Sequence, residues 1–300
     1  RGLVTWSPTP FVELAPEQVE QVRAAASAVA SADGVEPLSE AFLLALPRAG
    51  NHLLVTDGDR LLGYAATLAD GSLEAFVVPD ARGEGTGTAL LTTALERRPD
   101  ARPWAHGDLP AARALADRLA LHVVRELLVL ARPVGPGDEI DPQLPDGIGH
   151  RTFRPGEDDA ALLAVNAAAF AHHPEQGSLD ADGLAERAAQ PWFDPEGLIL
   201  LEDDDPSRLA GFHWTKIDPP GGSTGEVYVV GVHPELHGRG LAGPLTRLGL
   251  AHLARRGVVD VELYVEGDNE PALATYRRAG FERRAVHVMY SREVHPAVTG

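Results

Sequence analysis

Two short glycine-rich turns are the residues of this sequence best suited to chemistry. Arg82-Gly83-Glu84-Gly85-Thr86-Gly87 follows Val77-Val78-Pro79, and His237-Gly238-Arg239-Gly240-Leu241-Ala242 follows Val232-His233-Pro234. A strand that enters such a turn and leaves it as a helix presents the first N–H groups of the helix to an anion. Glycine lets the backbone come close to the ligand and take dihedrals that a side chain forbids. Taken singly, either turn reads equally well as a mere tight turn. Their duplication in the same context favours a cradle for phosphate oxygens. Neither is a Walker loop, because no lysine follows the glycines, and the Rossmann spacing with its acidic strand end is missing. Cysteine is absent, which excludes disulfides, a thiolate nucleophile and cysteine zinc sites. Of the twelve histidines, His172 and His173 are adjacent rather than at helical spacing, and no His-Glu-x-x-His occurs, so no metal is expected.

The elements that must position the turns also come twice. The first turn lies 155 positions before the second, and Trp104-Ala105-His106-Gly107-Asp108 lies 160 before Tyr264-Val265-Glu266-Gly267-Asp268. Five extra residues are therefore placed in the second copy between the glycine loop and the next strand. Leu53 to Val55 with Gly63-Tyr64-Ala65, and Leu198 to Leu201 with Gly211-Phe212-His213, each read as a hairpin. Val19, Val22, Ala26 and Val29 predict an amphipathic helix opening the first copy; Leu162, Val165, Ala169 and Phe170 predict one opening the second. Leu241, Leu245, Leu248 and Ala251 continue a helical stripe up to Arg255-Arg256-Gly257. Segment 136–150 is dense in proline and glycine and reads as a linker between domains at 1–135 and 151–300. The expected fold is α/β (α+β), two tandem domains each with a mixed sheet flanked by helices.

Composition narrows the partners. Over 300 residues the net charge is -18, which repels phosphate backbones and anionic lipid, and no basic face offsets it, so neither nucleic acid nor membrane is an expected partner. Residues 1–10 lack a leader pattern and no apolar run nears the ~20 residues that span a bilayer; a cytoplasmic monomer is expected. Trp104, Trp192 and Trp214 read as core or cleft-wall residues. Lys216 is the single lysine.

Arg82, Gly85 and Gly87 fit the signature of the GNAT superfamily of N-acetyltransferases, which is Arg or Gln, two residues, Gly, one residue, Gly or Ala. Gly240 and Ala242 fit in the second copy, where His237 replaces the Arg or Gln. Asn269, Ala272 and Tyr276 before Gly280-Phe281 resemble a second mark of that superfamily. Within it the chain is similar nearly end to end to the mycothiol synthase family. The segments that carry this likeness are Glu226 to Pro234, Gly211 to Lys216, His173 to Gly177, Leu263 to Glu266, and Asp33-Gly-Val to Glu40. The resemblance implies transfer of acetyl from acetyl-CoA to the cysteinyl amine of a cysteine–glucosamine–inositol conjugate. It implies cofactor contacts from Ala75, Phe76, Val77, Arg82, Gly83, Gly85, Gly87 and Thr88 in the first copy. In the second they come from Val230, Gly231, Val232, His237, Gly238, Arg239, Gly240, Leu241, Ala242, Gly243, Asn269 and Ala272. It assigns the acceptor to Glu40, Glu175, Lys216, Glu226 and Tyr264.

Acetyl transfer needs a held thioester, a polarised carbonyl, an unprotonated amine and a stabilised leaving thiolate. Glu226 is the candidate base, since an α-amine with pKa ~8 needs only a modest one; a solvated strand-start carboxylate is the alternative. Tyr276 is the candidate donor to the sulfur, or else a tyrosine packed under the sheet. Gly231 is where a bulge or close approach is expected. At the same offsets the first copy has Gly71 and Ala116, and Leu109 where the second has Asn269, so its catalytic role is expected to be lost. Two other readings remain: a GNAT enzyme acting on another amine, such as an aminoglycoside or a peptide N-terminus, and a non-catalytic acyl-CoA sensor.

Overall fold

The computed structural model describes residues 6–173 and 176–292. In chain order the first elements are β1 (Thr9–Phe11), α1 (Pro16–Asp33), α2 (Glu40–Ala45), β2 (Asn51–Asp57), β3 (Arg60–Thr67), β4 (Ser72–Val77), α3 (Thr86–Arg97), β5 (Arg102–Ala105), α4 (Pro110–Arg118) and β6 (His122–Pro133). The order then recurs as β7 (Gly149–Thr152), α5 (Asp159–Ala169), α6 (Ala181–Ala188), β8 (Leu198–Glu202), β9 (Gly211–Lys216), β10 (Thr224–Val232), α7 (Ala242–Arg255), β11 (Asp260–Glu266), α8 (Glu270–Arg278) and β12 (Glu282–Ser291). Local signals set the ends. Pro16 opens α1, the Gln18 side chain accepts from the Ala15 N–H, and Gly34 at φ 72° closes it. The four residues read from its spacing, Val19, Val22, Ala26 and Val29, are its buried ones.

The chain divides into two compact units, at other places than composition suggested. The first holds the described residues up to Leu127 together with those from Ala285 onward; the second is Leu128–Arg284. Boundaries at 135 and 151 do not mark this partition, because β6 begins in the first unit and ends in the second while β12 does the reverse. Nor is the proline- and glycine-rich segment a free linker. Asp138 accepts from Arg132 and from the Gly135 N–H, both at 2.6 Å, Asp141 accepts from Arg255 at 2.8 Å, and Gly149 starts a strand on β8.

In the first unit the strands lie in the order β1-β2-β3-β4-β5-β12, and in the second β6-β11-β10-β9-β8-β7. β4 is parallel to β5 and β10 to β11, while both hairpins are antiparallel, so each sheet is mixed. Each unit packs its post-turn helix on the hairpin strand at a glycine. A Cβ on Gly63 would lie 2.9 Å from Leu90 of α3, and one on Gly211 would lie 2.7 Å from the Gly231 carbonyl and 3.3 Å from Leu245 of α7. Leu90 and Leu245 hold the same place in the repeat, so the duplication read from the sequence is also a duplication of packing. No helix among the described residues is long and apolar enough to cross a membrane.

Candidate active site

In the second unit, β10, which holds the candidate base Glu226, is a distorted strand. Glu226 lies opposite Lys216 of β9 and Val227 opposite Thr215, but the next pair is Val229 with Trp214, leaving Tyr228 as an extra, bulged residue. The bulge is therefore at Tyr228 and not at the expected Gly231, which sits in regular register opposite Phe212. What Gly231 permits is the close approach: a Cβ there would lie 3.0 Å from Ala169 and 3.1 Å from Phe170 of the helix above. On its other side β10 pairs with β11 only from Thr224 to Val227. Beyond that point no ladder joins the two strands, and β10 from Tyr228 to Val232 keeps only β9 as a strand neighbour. A splay of this kind can take a thioester and point an N–H at its carbonyl oxygen.

β10 runs on into the glycine turn. Gly238 and Gly240 have φ of 79° and 74°, open to glycine without strain, and α7 starts at Ala242. Its first main-chain bond runs from the Leu245 N–H to the Leu241 carbonyl, so the Ala242 and Gly243 N–H groups, with the dipole behind them, face outward. The His237 Nε2–H donates to the Val232 carbonyl at 3.1 Å. Arg82 does the same in the first unit, where its Nε donates to the Val77 carbonyl at 3.1 Å. Both side chains clip the turn to its strand, so histidine keeps the structural half of the arginine's role.

Glu226 is half-buried at the closed end of the splay. Its neighbours across the ladders are Lys216 and Glu262. β11 alternates strictly, with Val261, Leu263 and Val265 in the core and Asp260, Glu262, Tyr264 and Glu266 on the other face. Glu262 was not singled out from the sequence, although that polar–apolar alternation marks it. Burial pushes its carboxyl above the ordinary range, with Arg284 opposing and Asp260 adding. Glu266 lies 3.6 Å from His173. Lys216 is not a solvated charge: its Nζ lies 4.8 Å from the Trp192 ring, 5.2 Å from the Tyr228 ring and 3.7 Å from Asp218. An acidic face with one held ammonium suits a cationic, hydroxylated acceptor.

Tyr276 packs in the core, its ring 5.9 Å from Phe281. Burial pushes its pKa up to about 12, so it is a donor and never a phenolate at working pH. The Asn269 Oδ1 accepts from the Ala272 N–H at 3.2 Å, capping α8, the helix that carries Tyr276. Tyr264 is exposed on β11, Glu40 is half-buried at the start of α2 in the other unit, and Glu175 lies outside the described residues.

The first unit holds a cavity of about 460 Å³ lined by all eight residues assigned there to the cofactor, namely Ala75, Phe76, Val77, Arg82, Gly83, Gly85, Gly87 and Thr88. Arg82 is committed to Asp33 by two bonds of 2.7 and 2.9 Å. β4 has no bulge, and Ser72 pairs with Arg102 where Glu226 pairs with Glu262. The counterpart of Glu226 is thus Ser72, not Gly71, because Tyr228 adds one residue to β10. Ala116 is buried and lines the cavity. The carboxylate on this strand is Glu74, buried and accepting from the Ser39 N–H at 2.7 Å and from His106 at 2.9 Å. Among the described residues no three His, Cys, Asp or Glu side chains are placed to hold a metal ion.

These features can be set beside known proteins. The model of the acetyltransferase (GNAT) family matches residues 167–281, the part of the second unit that carries the splay and the glycine turn. The mycothiol acetyltransferase of Kytococcus sedentarius is 49% identical over 93% of this chain and 95% of that protein, and that of Rhodococcus jostii 48% identical over 92% and 95%. Among solved structures, a tandem GNAT protein from the clavulanic acid biosynthesis pathway superposes with a TM-score of 0.73 at 20% identity, covering 98% of this chain and all of that one. A GCN5-related N-acetyltransferase from Sphaerobacter thermophilus gives 0.70 at 25% identity, covering 95% and 96%. With near-half identity along almost the whole of both sequences, and a splayed strand pair and glycine turn in each unit, the chain belongs to the mycothiol acetyltransferase family of tandem GNAT N-acetyltransferases.

Proposed function

We propose that the protein transfers acetyl from acetyl-CoA to the cysteinyl amine of a cysteine–glucosamine–inositol conjugate, forming mycothiol, and that the second unit does the chemistry. The observation that supports this is a β10–β11 pair joined only from Thr224 to Val227, with the Glu226 carboxylate in the joined stretch; we assign the sulfur donor to Tyr276 on α8 of the same unit. Acetyl-CoA supplies the activated acyl group and a thiolate leaving group. The turn from His237 to Gly243 takes the pyrophosphate, and the Val230 to Val232 backbone polarises the carbonyl. Glu226 accepts the amine proton, directly or through water. Tyr276 stabilises the departing sulfur by a hydrogen bond. With its pKa near 12 against ~8.5 for a thiol, full transfer of its proton would be uphill by about 5 kcal/mol. Lys216 and Tyr264 hold the acceptor beside Glu226. The first unit binds the coenzyme without turning it over, since Ser72 and Ala116 replace both proton-transfer groups. The test is release of CoA thiol with the cysteinyl conjugate compared with an aminoglycoside and a peptide amine. Turnover on the conjugate with little on the others is expected; turnover only on another amine overturns the acceptor assignment and leaves the chemistry standing.

A further inference from the structure

The bulge at Tyr228 opens a second, smaller feature on the second unit. A pocket of about 150 Å³ is bordered by Gln176, Ser178, Asp180, Arg187, Trp214 and Tyr228. Trp214 is one of its lining residues, and the indole Nε1–H of that residue is a buried polar atom. That side chain is 1% exposed, and the N–H is buried with no hydrogen-bond partner among the described residues. An indole nitrogen only donates, and a buried donor of this kind almost always has an acceptor. Such a donor suits a ligand atom with a lone pair.

The rest of the lining says what. Tyr228 and Trp214 stand edge to face at 5.4 Å and give the pocket apolar, aromatic walls. Arg187 spans the other side, its Nε donating to the Tyr228 hydroxyl at 3.0 Å and its Nη1 to the Gly183 carbonyl at 3.0 Å, which leaves Nη2 uncommitted among the described residues. Asp180 accepts from the Gly183 N–H through Oδ1 alone. Gln176 is locked by a reciprocal bond with the fully buried Asn166, at 2.9 and 2.7 Å. Donors and acceptors stand beside an aromatic wall, the chemistry that recognises a ring with C–H faces and hydroxyl edges. The volume is well below the several hundred Å³ of a drug-sized site, so one ring fits and two do not.

We propose that this pocket is a subsite for one uncharged, hydroxyl-rich six-membered ring of the acceptor, with the Trp214 indole N–H donating to a ring oxygen. Tyr228 borders the pocket and lies two residues beyond Glu226 on β10, so an acceptor with its ring here would lay its amine along β10 toward the carboxylate. This rests on the acceptor assigned above, in which two such rings follow the amine.

The test has two parts. In the first, acetylation of the complete conjugate is compared with that of cysteinyl-glucosamine, which lacks the cyclitol, in wild type, Trp214→Phe and Asp180→Asn. For a cyclitol in the pocket, both variants raise KM for the complete conjugate about 5- to 10-fold, keep kcat within about 2-fold, and leave KM for the truncated acceptor unchanged. For the glucosamine ring, they raise KM for both acceptors alike with kcat preserved. Unchanged KM values, or losses confined to kcat, overturn the subsite. In the second part, free myo-inositol and free N-acetylglucosamine are titrated into the wild-type protein while the indole ¹⁵N–¹H signals are followed, the Trp214 signal being the one missing from Trp214→Phe. A shift with either ring supports the pocket and names the ring; no shift with either at saturating concentration overturns it. Because this second reading needs no acetyl transfer, failure of the proposed reaction and failure of the subsite are distinguishable.

Discussion

Where the strand enters the glycine turn, the two units differ by one residue. β4 keeps unbroken register with β3, while β10 carries Tyr228 as an insertion and its ladder with β9 shifts there. On β4 the buried carboxylate, Glu74, is spent on a backbone N–H and His106; on β10 the carboxylate lies two residues before the bulge, beside a held lysine. The turn itself is the same in both, down to a side chain that clips it to the strand. The difference teaches that holding a phosphate and doing acyl transfer are separable demands. The first asks only for backbone geometry, which a duplication keeps, while on the proposed mechanism the second asks for two side chains, Glu226 and Tyr276, which a single substitution each can erase.

The largest expected effect comes from removing the first of them. Glu226→Gln is expected to lower kcat/KM by about 10²- to 10³-fold, within the range of a general base, with coenzyme binding intact by calorimetry. Ser72→Glu in the first unit is expected to add no activity, since Ala116 still leaves the sulfur without a donor there. A loss below tenfold for the first variant, or a gain from the second, breaks the comparison.

Stability separates the units at another matched pair. His213 on β9 is fully buried against Gly249 of α7, where a Cβ would fall inside the imidazole; in the first unit the same two places hold Ala65 and Ala94. Gly249→Ala is expected to cost about 3 kcal/mol by overpacking in urea unfolding. His213→Ala added to it, copying the first unit, is expected to recover most of that loss, and a strictly additive double variant contradicts the reading.

The same histidine sets an acid limit. Burial pushes the pKa of His213 down to about 4, and burial with the nearby His106 does the same to His287. With the folded pKa below the unfolded value of ~6.5, the unfolded chain binds more protons, so stability is complete above that value and falls as pH drops from ~6.5 toward 4. A fall on the order of 2 kcal/mol per buried histidine is expected between those limits. The His213→Ala, Gly249→Ala double variant should lose part of this slope; an unchanged slope assigns it elsewhere.

A smaller effect is expected at the clip. His237→Ala is expected to raise KM for acetyl-CoA by about 3-fold through a looser turn, the worth of one exposed hydrogen bond. His237→Arg, which restores the side chain of the first unit, should hold KM at or below wild type.

Much of this was legible in the sequence and some was not. The matched glycine turns, hairpins and helical stripes appear at constant offsets, and the structure reproduces them because local pattern decides local structure. A constant offset hides an insertion smaller than an element: it pairs Glu226 with Gly71, whereas the ladders, with Tyr228 bulged, pair it with Ser72. Glu262 was legible in the alternation of Asp260 to Glu266, which shows only once that segment is taken as a strand with one polar face. The exchange of β6 and β12 between units was not legible, because no local pattern says which sheet edge a strand will find. For the same reason the Asp138 and Asp141 bonds that tie down the proline-rich segment could not be read. The unpartnered Trp214 N–H exists only in three dimensions.

The most direct measurement is acetyl transfer by the Glu226→Gln, Tyr276→Phe double variant at saturating acetyl-CoA and acceptor, with coenzyme bound to the first unit counted by calorimetry in the same preparation. Coenzyme bound there and no transfer above the uncatalysed rate is the predicted result. Transfer within tenfold of the wild-type rate would place the chemistry in the first unit and contradict the division of labour argued here.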